Sequence, residues 1–146
     1  MRCTTRVRAR GVVGGGLTGP GITEVHVRSG LDVKFFRPPN LAVSPTMTTT
    51  IGFPFASGVL AFDWDGQNTS AQQRADNVLN DANMKDGAII LMHDVQPLPH
   101  PTPEALDIII PALKSKGYEF VTISELFKRK NVVPAAHDGK MWVVVE

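Results

Sequence analysis

The sequence predicts an α/β fold in which parallel strands alternate with helices. Short apolar runs bounded by glycine, proline or charged residues alternate along the 146 residues with segments whose apolar positions recur at helical spacing. One run, residues 88–92, is apolar throughout, as expected of a strand that is buried on both faces. Strands and helices in this alternating order favour right-handed parallel crossovers. A complete α/β barrel usually needs about 250 residues, which is more than this sequence has.

Strands are predicted where β-branched, aromatic and aliphatic residues cluster between turn-forming residues. The first must end at Pro38, because proline cannot donate a ladder hydrogen bond. Gly87 separates a later strand from the helix that precedes it. The predicted strands are residues 33–36, 54–62, 88–92 and 118–121, with a further strand within 141–145.

All three predicted helices begin at an N-capping residue. Ser70 with Gln73 fits a capping box, and so does Thr69 with Gln72. Thr122 begins the third helix, which we expect to run through residue 127. The apolar positions of the first helix are Ala71, Ala75, Val78, Leu79 and Ala82.

The second predicted helix has Thr102 as its N-cap and Pro103 at its first position. Pro111 should kink it, because the ring removes one backbone hydrogen bond. Gly117 should end it. Its buried stripe is expected to be Leu106, Ile109, Ile110 and Leu113.

The first 23 residues differ in composition from the rest. They are rich in glycine and arginine, and no acidic residue precedes Glu24. We therefore predict a leader or divergent N-terminal segment at 1–30, a folded domain at 31–130, and a C-terminal tail at 131–146 that includes the possible extra strand.

Composition argues against several kinds of partner. A formal net charge of +1 gives no support for binding nucleic acid. No apolar run reaches the roughly 20 residues that a membrane span needs. Residues 11–17 are too glycine-rich for the apolar centre of a secretion signal, so no signal peptide is recognised and the compartment stays unknown.

Residues that could do chemistry follow directly after three of the predicted strands. They are Arg37, Asp63 with Trp64, and His93 with Asp94. The carboxyl ends of parallel strands share one rim, so we expect these side chains to converge. A carboxylate at Asp63 would favour the protonated ring of His93, which could then act as a general acid. The alternative is structural, with His93 and Asp94 capping a loop and Arg37 in a salt bridge.

Four segments resemble, in order and spacing, the C-terminal part of the polysaccharide deacetylases of carbohydrate esterase family four (the NodB homology domain). Phe-Phe-Arg-Pro-Pro at 35–39 resembles the third family motif, Asp-Trp at 63–64 the fourth, and Ile-Leu-Met-His-Asp at 90–94 the fifth. Residues 109–127 are similar to the final helix, strand and helix. The Arg-Pro-Pro-Asn-Leu variant and the Asp-Trp-Asp-Gly turn are most similar to the acetylxylan-esterase-like members. The resemblance implies part of a distorted (β/α) barrel, with parallel strands inside and helices outside.

The resemblance also implies residue roles. His93 would be the general acid that protonates the leaving sugar, Asp63 would orient it, and Arg37 would hold a catalytic-base aspartate. The family commonly has tyrosine and glycine after Arg-Pro-Pro, where this sequence has Asn40 and Leu41. The implied acetate-pocket residues are Trp64, Leu91 and Asn40, the last through its backbone near the oxyanion position.

By resemblance the chain is a hydrolase that removes acetyl groups from xylan, chitin-like or peptidoglycan glycans with a divalent metal, zinc or cobalt. The resemblance also implies secretion. The family's Thr-Phe-Asp-Asp-Gly and paired-histidine motifs, which supply the base and the metal ligands, do not occur in this sequence. No metal ligand is therefore assigned, and a truncated form is expected. The alternative is a non-catalytic remnant that binds carbohydrate or a partner chain. Open strand edges would favour self-association.

Overall fold

The structure is a computed structural model that describes residues 35–65, 67, 70–93 and 101–146. These residues belong to two units, one ending at Ala56 and including Pro134–Lys140, the other formed by Ser57–Val133 with Met141–Glu146. The elements are a 3-10 turn at Pro39–Leu41, α1 (Pro45–Thr50), β1 (Phe55–Ala56), β2 (Val59–Leu60), α2 (Ala71–Leu79), β3 (Ile90–Leu91), α3 (Thr102–Ser115), α4 (Ile123–Arg129) and β4 (Met141–Trp142). The predicted leader at 1–30 lies outside the described residues, and the predicted domain boundaries stay predictions.

Strands β2 and β3 of the second unit pair in parallel. Val59 lies opposite Ile90 and Leu60 opposite Leu91, and α2 connects the two strands along the chain. The parallel pairing expected from the sequence is confirmed at these strands. The strand predicted at 54–62 is instead divided into β1 and β2. The division falls beside Gly58, where a Cβ atom would lie 2.8 Å from the carbonyl oxygen of Ile89.

Helices α2 and α3 pack against each other and over the parallel strands. Small alanines on both helices let the backbones approach, while branched side chains fill the remaining space. The core therefore forms around the two strands that carry the candidate site. Its buried residues are Val59, Ala61, Ala75, Val78, Ala105, Ile109 and Leu113.

Helix α2 begins at the predicted capping box. Ser70 Oγ accepts a hydrogen bond from the backbone N–H of Gln73 at 3.1 Å, and Gln73 Oε1 accepts from the N–H of Ser70 at 3.3 Å. Ala82 was predicted on the buried face but lies exposed beyond the end of the helix. The alternative cap, Thr69, lies outside the described residues.

The N-cap predicted for α3 is wrong. The cap is Pro101, and Thr102 is the first helical residue. Thr102 is buried, and its Oγ1 accepts a hydrogen bond from Nη1 of the buried Arg74 at 2.7 Å. The buried face predicted for α3 is also partly wrong, because Leu106 is exposed. The buried residues of the helix are Thr102, Ala105, Ile109 and Leu113.

Helix α3 ends in a Schellman motif, and residues 118–121 after it form no strand. The helix continues through Pro111 and ends at Ser115. Gly117 has a φ of 87°, and its N–H donates to Lys114. The N–H of Tyr118 donates to the carbonyl of Leu113 at 3.1 Å, which completes a Schellman motif. The strand predicted there is therefore wrong.

The C-terminal residues of the second unit partly confirm the strand predicted at 141–145, since β4 covers Met141–Trp142. Ala88 and Val144 form an antiparallel bridge. The ring of Trp142 packs edge-on against Phe127 at 5.0 Å, on α4. That helix begins as predicted, with Thr122 Oγ1 accepting from the N–H of residue 125 at 3.2 Å, and extends two residues beyond the predicted end.

The first unit contains the segment that precedes Arg37. Phe36 forms an isolated parallel bridge with Phe55, and their rings lie 5.9 Å apart. Of the strand predicted at 33–36, the structure shows the bridge at Phe36. Residues 33 and 34 lie outside the described residues. Helix α1 was not predicted, although Ser44 followed by Pro45 is a recognisable helix start. No helix in the described ranges is long and apolar enough to cross a membrane.

Candidate active site

Asp63 is buried at the carboxyl end of β2. The chain leaves the strand through Ala61, which is buried, and Phe62, whose φ of 52° is left-handed. This turn buries the Asp63 side chain completely. A buried carboxylate is costly unless donors surround it, so the position requires hydrogen-bonding partners.

His93 supplies those partners. It follows β3 by two residues, and the parallel register brings its end of β3 beside the end of β2. His93 Nδ1 lies 2.8 Å from Asp63 Oδ1, and the backbone N–H of His93 donates to Oδ2. The hydrogen bond expected between these two residues is therefore confirmed. With Nδ1–H donating to the carboxylate, Nε2 is the ring nitrogen left for other chemistry.

Two aromatic side chains lie next to the pair. Trp64 packs edge-on against the His93 ring, with centroids 5.7 Å apart and an interplanar angle of 86°. Phe62 lies 5.5 Å from Trp64. Both aromatic residues are exposed, whereas Leu91 of β3 is buried. Trp64 therefore limits the rotation of the imidazole and provides apolar surface beside it.

Helix α2 supports the turn that carries Asp63. Asn77 Nδ2 donates to the carbonyl oxygen of Ala61 at 3.0 Å. Strand pairing ends near this carbonyl, so the side-chain amide provides it with a donor. The sequence interpretation missed both Asn77 and Phe62. The signal for Asn77 was an amide beside the apolar face of the helix, next to Val78.

Arg37 and Asn40 belong to the first unit. Arg37 is 9% exposed and follows the bridged residue Phe36. Asn40 has a φ of 51° and Leu41 a φ of 55°, and the N–H of Leu41 donates to the carbonyl of Pro38 at 3.0 Å. Asparagine tolerates this left-handed conformation, whereas leucine pays about 1–2 kcal/mol. The convergence of Arg37 with the Asp63–His93 pair, and the oxyanion role of Asn40, stay predictions. Asp94 lies outside the described residues.

Within the described ranges no three histidine, cysteine, aspartate or glutamate residues come close enough together to hold a metal ion. His137 is exposed, and its Nδ1 lies 2.9 Å from the carbonyl oxygen of Thr48. His26 and His100 lie outside these ranges. The residues that the structure describes therefore do not fit a metal centre by themselves.

The chain is similar in fold to two solved structures of carbohydrate esterase family four. A family 4 acetyl xylan esterase from Clostridium thermocellum, solved in complex with a cobalt ion, has 51% sequence identity and a TM-score of 0.75. The Xyl-CE4 domain of a multidomain xylanase from the hindgut metagenome of Trinervitermes trinervoides has 46% identity and a TM-score of 0.72. Each match covers 84% of this chain and 58% of the other chain.

The curated sequences that are similar to this chain are also named as deacetylases. The bifunctional xylanase/deacetylase of Pseudobutyrivibrio xylanivorans is 49% identical over 114 residues, which is 78% of this chain and 18% of that protein. The peptidoglycan-N-acetylglucosamine deacetylase PgdA of Listeria monocytogenes is 41% identical over 95 residues, or 64% of this chain and 19% of the relative. No model of a protein family matches the chain.

The chain belongs to the polysaccharide deacetylases of carbohydrate esterase family four, as its motifs indicated. Its fold is α/β, of the barrel type that these neighbours share. It spans 58% of the length of the two solved structures, and less than a fifth of the length of the curated relatives described above.

Proposed function

We propose that this chain provides the general-acid part of a carbohydrate deacetylase site, which releases acetate from an acetylated glycan. The observation that carries the proposal is the hydrogen-bonded pair of Asp63 and His93, with Nδ1 and Oδ1 2.8 Å apart at the ends of two parallel strands. The high identity to deacetylases and acetyl xylan esterases supports it.

The geometry fits proton donation to a leaving group. Deacetylation breaks the bond between the acyl carbon and a sugar oxygen or nitrogen, and that atom must gain a proton as it leaves. Asp63 binds Nδ1 of His93, so the opposite nitrogen, Nε2, is the one that would meet the substrate. The buried carboxylate also balances the positive charge of the protonated ring. Trp64 keeps the ring in this orientation. Together with Leu91 it would line the pocket for the acetyl group.

The remaining machinery is proposed from the family. Arg37 would hold the carboxylate of a catalytic base through its guanidinium fork. A divalent metal, cobalt or zinc, would be required, as the cobalt complex of the similar acetyl xylan esterase suggests. The described residues contain no group of three histidine, cysteine, aspartate or glutamate side chains that could hold it, so no step is derived through a metal.

We infer that the preferred substrate is acetylated xylan and that the protein acts outside the cell, where this polymer is found. The xylan-directed relatives are 46–51% identical to the chain, whereas the peptidoglycan deacetylase PgdA is 41% identical. Chitin-like glycans are the less favoured substrates.

The second candidate is a non-catalytic carbohydrate-binding domain. The observation that favours it is the lack of a metal-ligand group within the described ranges. Such a domain would retain the exposed aromatic surface of the site without turning over its ligand. It could also self-associate through its strand edges, which sedimentation at increasing concentration would detect.

Acetate release from acetylated xylo-oligosaccharides distinguishes the two candidates. The wild-type chain would be measured with added cobalt, with added zinc, and with a chelator, beside His93→Ala and the control His137→Ala. If the chain is an active enzyme, turnover should depend on added metal, and His93→Ala should lower it by about 10²–10⁴-fold while His137→Ala leaves it unchanged. Binding without turnover in every metal condition would refute the enzyme proposal and support the binding domain.

A further inference from the structure

Two exposed aromatic rings extend the surface beside the Asp63–His93 pair. Phe62 is 41% exposed and Trp64 is 43% exposed, while Ala61 and Asp63, which alternate with them, are 0% and 2% exposed. Phe62 and Trp64 thus lie on the outer side of the turn, with their ring centroids 5.5 Å apart.

The folded core does not explain a phenylalanine at position 62. Its φ of 52° is unfavourable for an aromatic residue, and asparagine or glycine would adopt this conformation more readily. Exposure of the ring also leaves apolar surface in water. Strained residues that persist in folded proteins cluster at ligand sites, and here the strain adjoins the candidate general acid.

We propose that Phe62 is a glycan-stacking residue, which together with Trp64 forms a binding surface for a sugar ring of a neutral pyranoside chain. The proposal rests on the proposed function, and it adds a substrate-binding residue outside the acetyl pocket. Pyranose rings present C–H groups on their faces, and these pack favourably on exposed aromatic rings. Trp64 contacts the His93 ring at 5.7 Å, so the surface continues from the imidazole to Phe62.

Measurements of binding and of turnover test the stacking role of Phe62 separately. Kd for unacetylated xylo-oligosaccharides and chito-oligosaccharides would be measured with the whole chain, and hydrolysis of phenyl acetate, which carries no sugar, in parallel. We expect Phe62→Leu to raise Kd for the xylo-oligosaccharide by about 3- to 10-fold. Phe62→Tyr keeps an aromatic ring and should bind as the wild type does. Phe120→Leu is the matched control, because Phe120 is 48% exposed in the same unit and lies outside the candidate site.

The outcomes separate this inference from the proposed function. If the wild type binds oligosaccharide but has no esterase activity, loss of binding in Phe62→Leu still supports stacking while the proposed function fails. If Phe62→Leu leaves Kd unchanged, or if the wild type does not bind oligosaccharide, the stacking role is overturned whatever the activity. The stacking role is also overturned if Phe62→Leu lowers the hydrolysis of phenyl acetate as much as the hydrolysis of the acetylated glycan. Phe62 would then act only by supporting Trp64.

Discussion

Both carboxylate oxygens of Asp63 bind His93, one through the ring and the other through the backbone. Oδ1 lies 2.8 Å from Nδ1, and Oδ2 accepts the backbone N–H. The Asp63 side chain is fully buried, while 18% of the His93 side chain is exposed. One carboxylate therefore fixes the end of β3 and the rotation of the imidazole together.

Replacing Asp63 by asparagine should alter both the stability of the fold and the tautomer of the His93 ring. An amide has only one acceptor oxygen for the two His93 donors, so one donor would meet the amide NH₂ group. We expect the free energy of unfolding to fall by about 1–3 kcal/mol, measured by urea denaturation. We also expect the neutral ring to change from the Nδ1–H to the Nε2–H tautomer, measured by ¹⁵N chemical shifts.

The neighbouring carboxylate at Asp65 provides the control for Asp63→Asn. Asp65 Oδ1 accepts an exposed backbone N–H, from Gln67 at 3.0 Å. Asp65→Asn should therefore change stability by less than about 0.5 kcal/mol. Equal effects of the two substitutions would contradict a special role for the buried carboxylate.

Asn77 should stabilise the turn before Asp63. Asn77→Ala removes the donor that lies 3.0 Å from the carbonyl oxygen of Ala61. We expect a loss of about 1–3 kcal/mol in the free energy of unfolding, with shifts in the His93 ring resonances. Gln72→Ala on the exposed side of the same helix is the control and should stay close to wild type. Unchanged His93 resonances in a destabilised Asn77→Ala would show that the hydrogen bond does not position the site.

The Asp63–His93 contact could be predicted because its signals are local. Each residue follows an apolar run, and two parallel strands that pair must end at a common edge. The capping box at Ser70 was predictable for the same reason, since it depends on four consecutive residues.

The roles of Thr102 and Phe62 could not be predicted in this way. Thr102 fits an N-cap by composition, yet the packing of α3 against α2 turns it inward to meet Arg74. Phe62 adopts a left-handed φ that its residue type does not suggest. Both outcomes depend on the tertiary environment, which outweighs local preference.

Gly58 should be required for the pairing of β2 and β3. A Cβ atom there would lie 2.8 Å from the oxygen of Ile89 and 2.9 Å from the nitrogen of Leu91. Both are backbone atoms and cannot rotate away. We expect Gly58→Ala to lower the free energy of unfolding by about 1–3 kcal/mol. In Gly52→Ala the added methyl would meet nothing within 4 Å, so this variant should be neutral or slightly stabilised. Comparable urea midpoints for the two variants would refute the close approach.

Thr102 should stabilise the contact between α2 and α3 through its hydroxyl rather than as a helix cap. Thr102→Val keeps the shape of the side chain but removes the acceptor that lies 2.7 Å from Arg74 Nη1. A hydrogen bond to a charged donor contributes about 1.5–3 kcal/mol, and we expect a loss in this range. Thr102→Ser keeps the hydroxyl and should lose only about 0.8 kcal/mol for the missing methyl group.

The exposed Thr50 at the end of α1 provides the matched control for Thr102. Thr50→Val makes the same chemical change where no buried donor depends on it, so its free energy of unfolding should stay within about 0.5 kcal/mol of wild type. Urea denaturation of these three variants gives the comparison. If Thr102→Ser loses as much stability as Thr102→Val, packing of the methyl group rather than the hydrogen bond to Arg74 stabilises this contact.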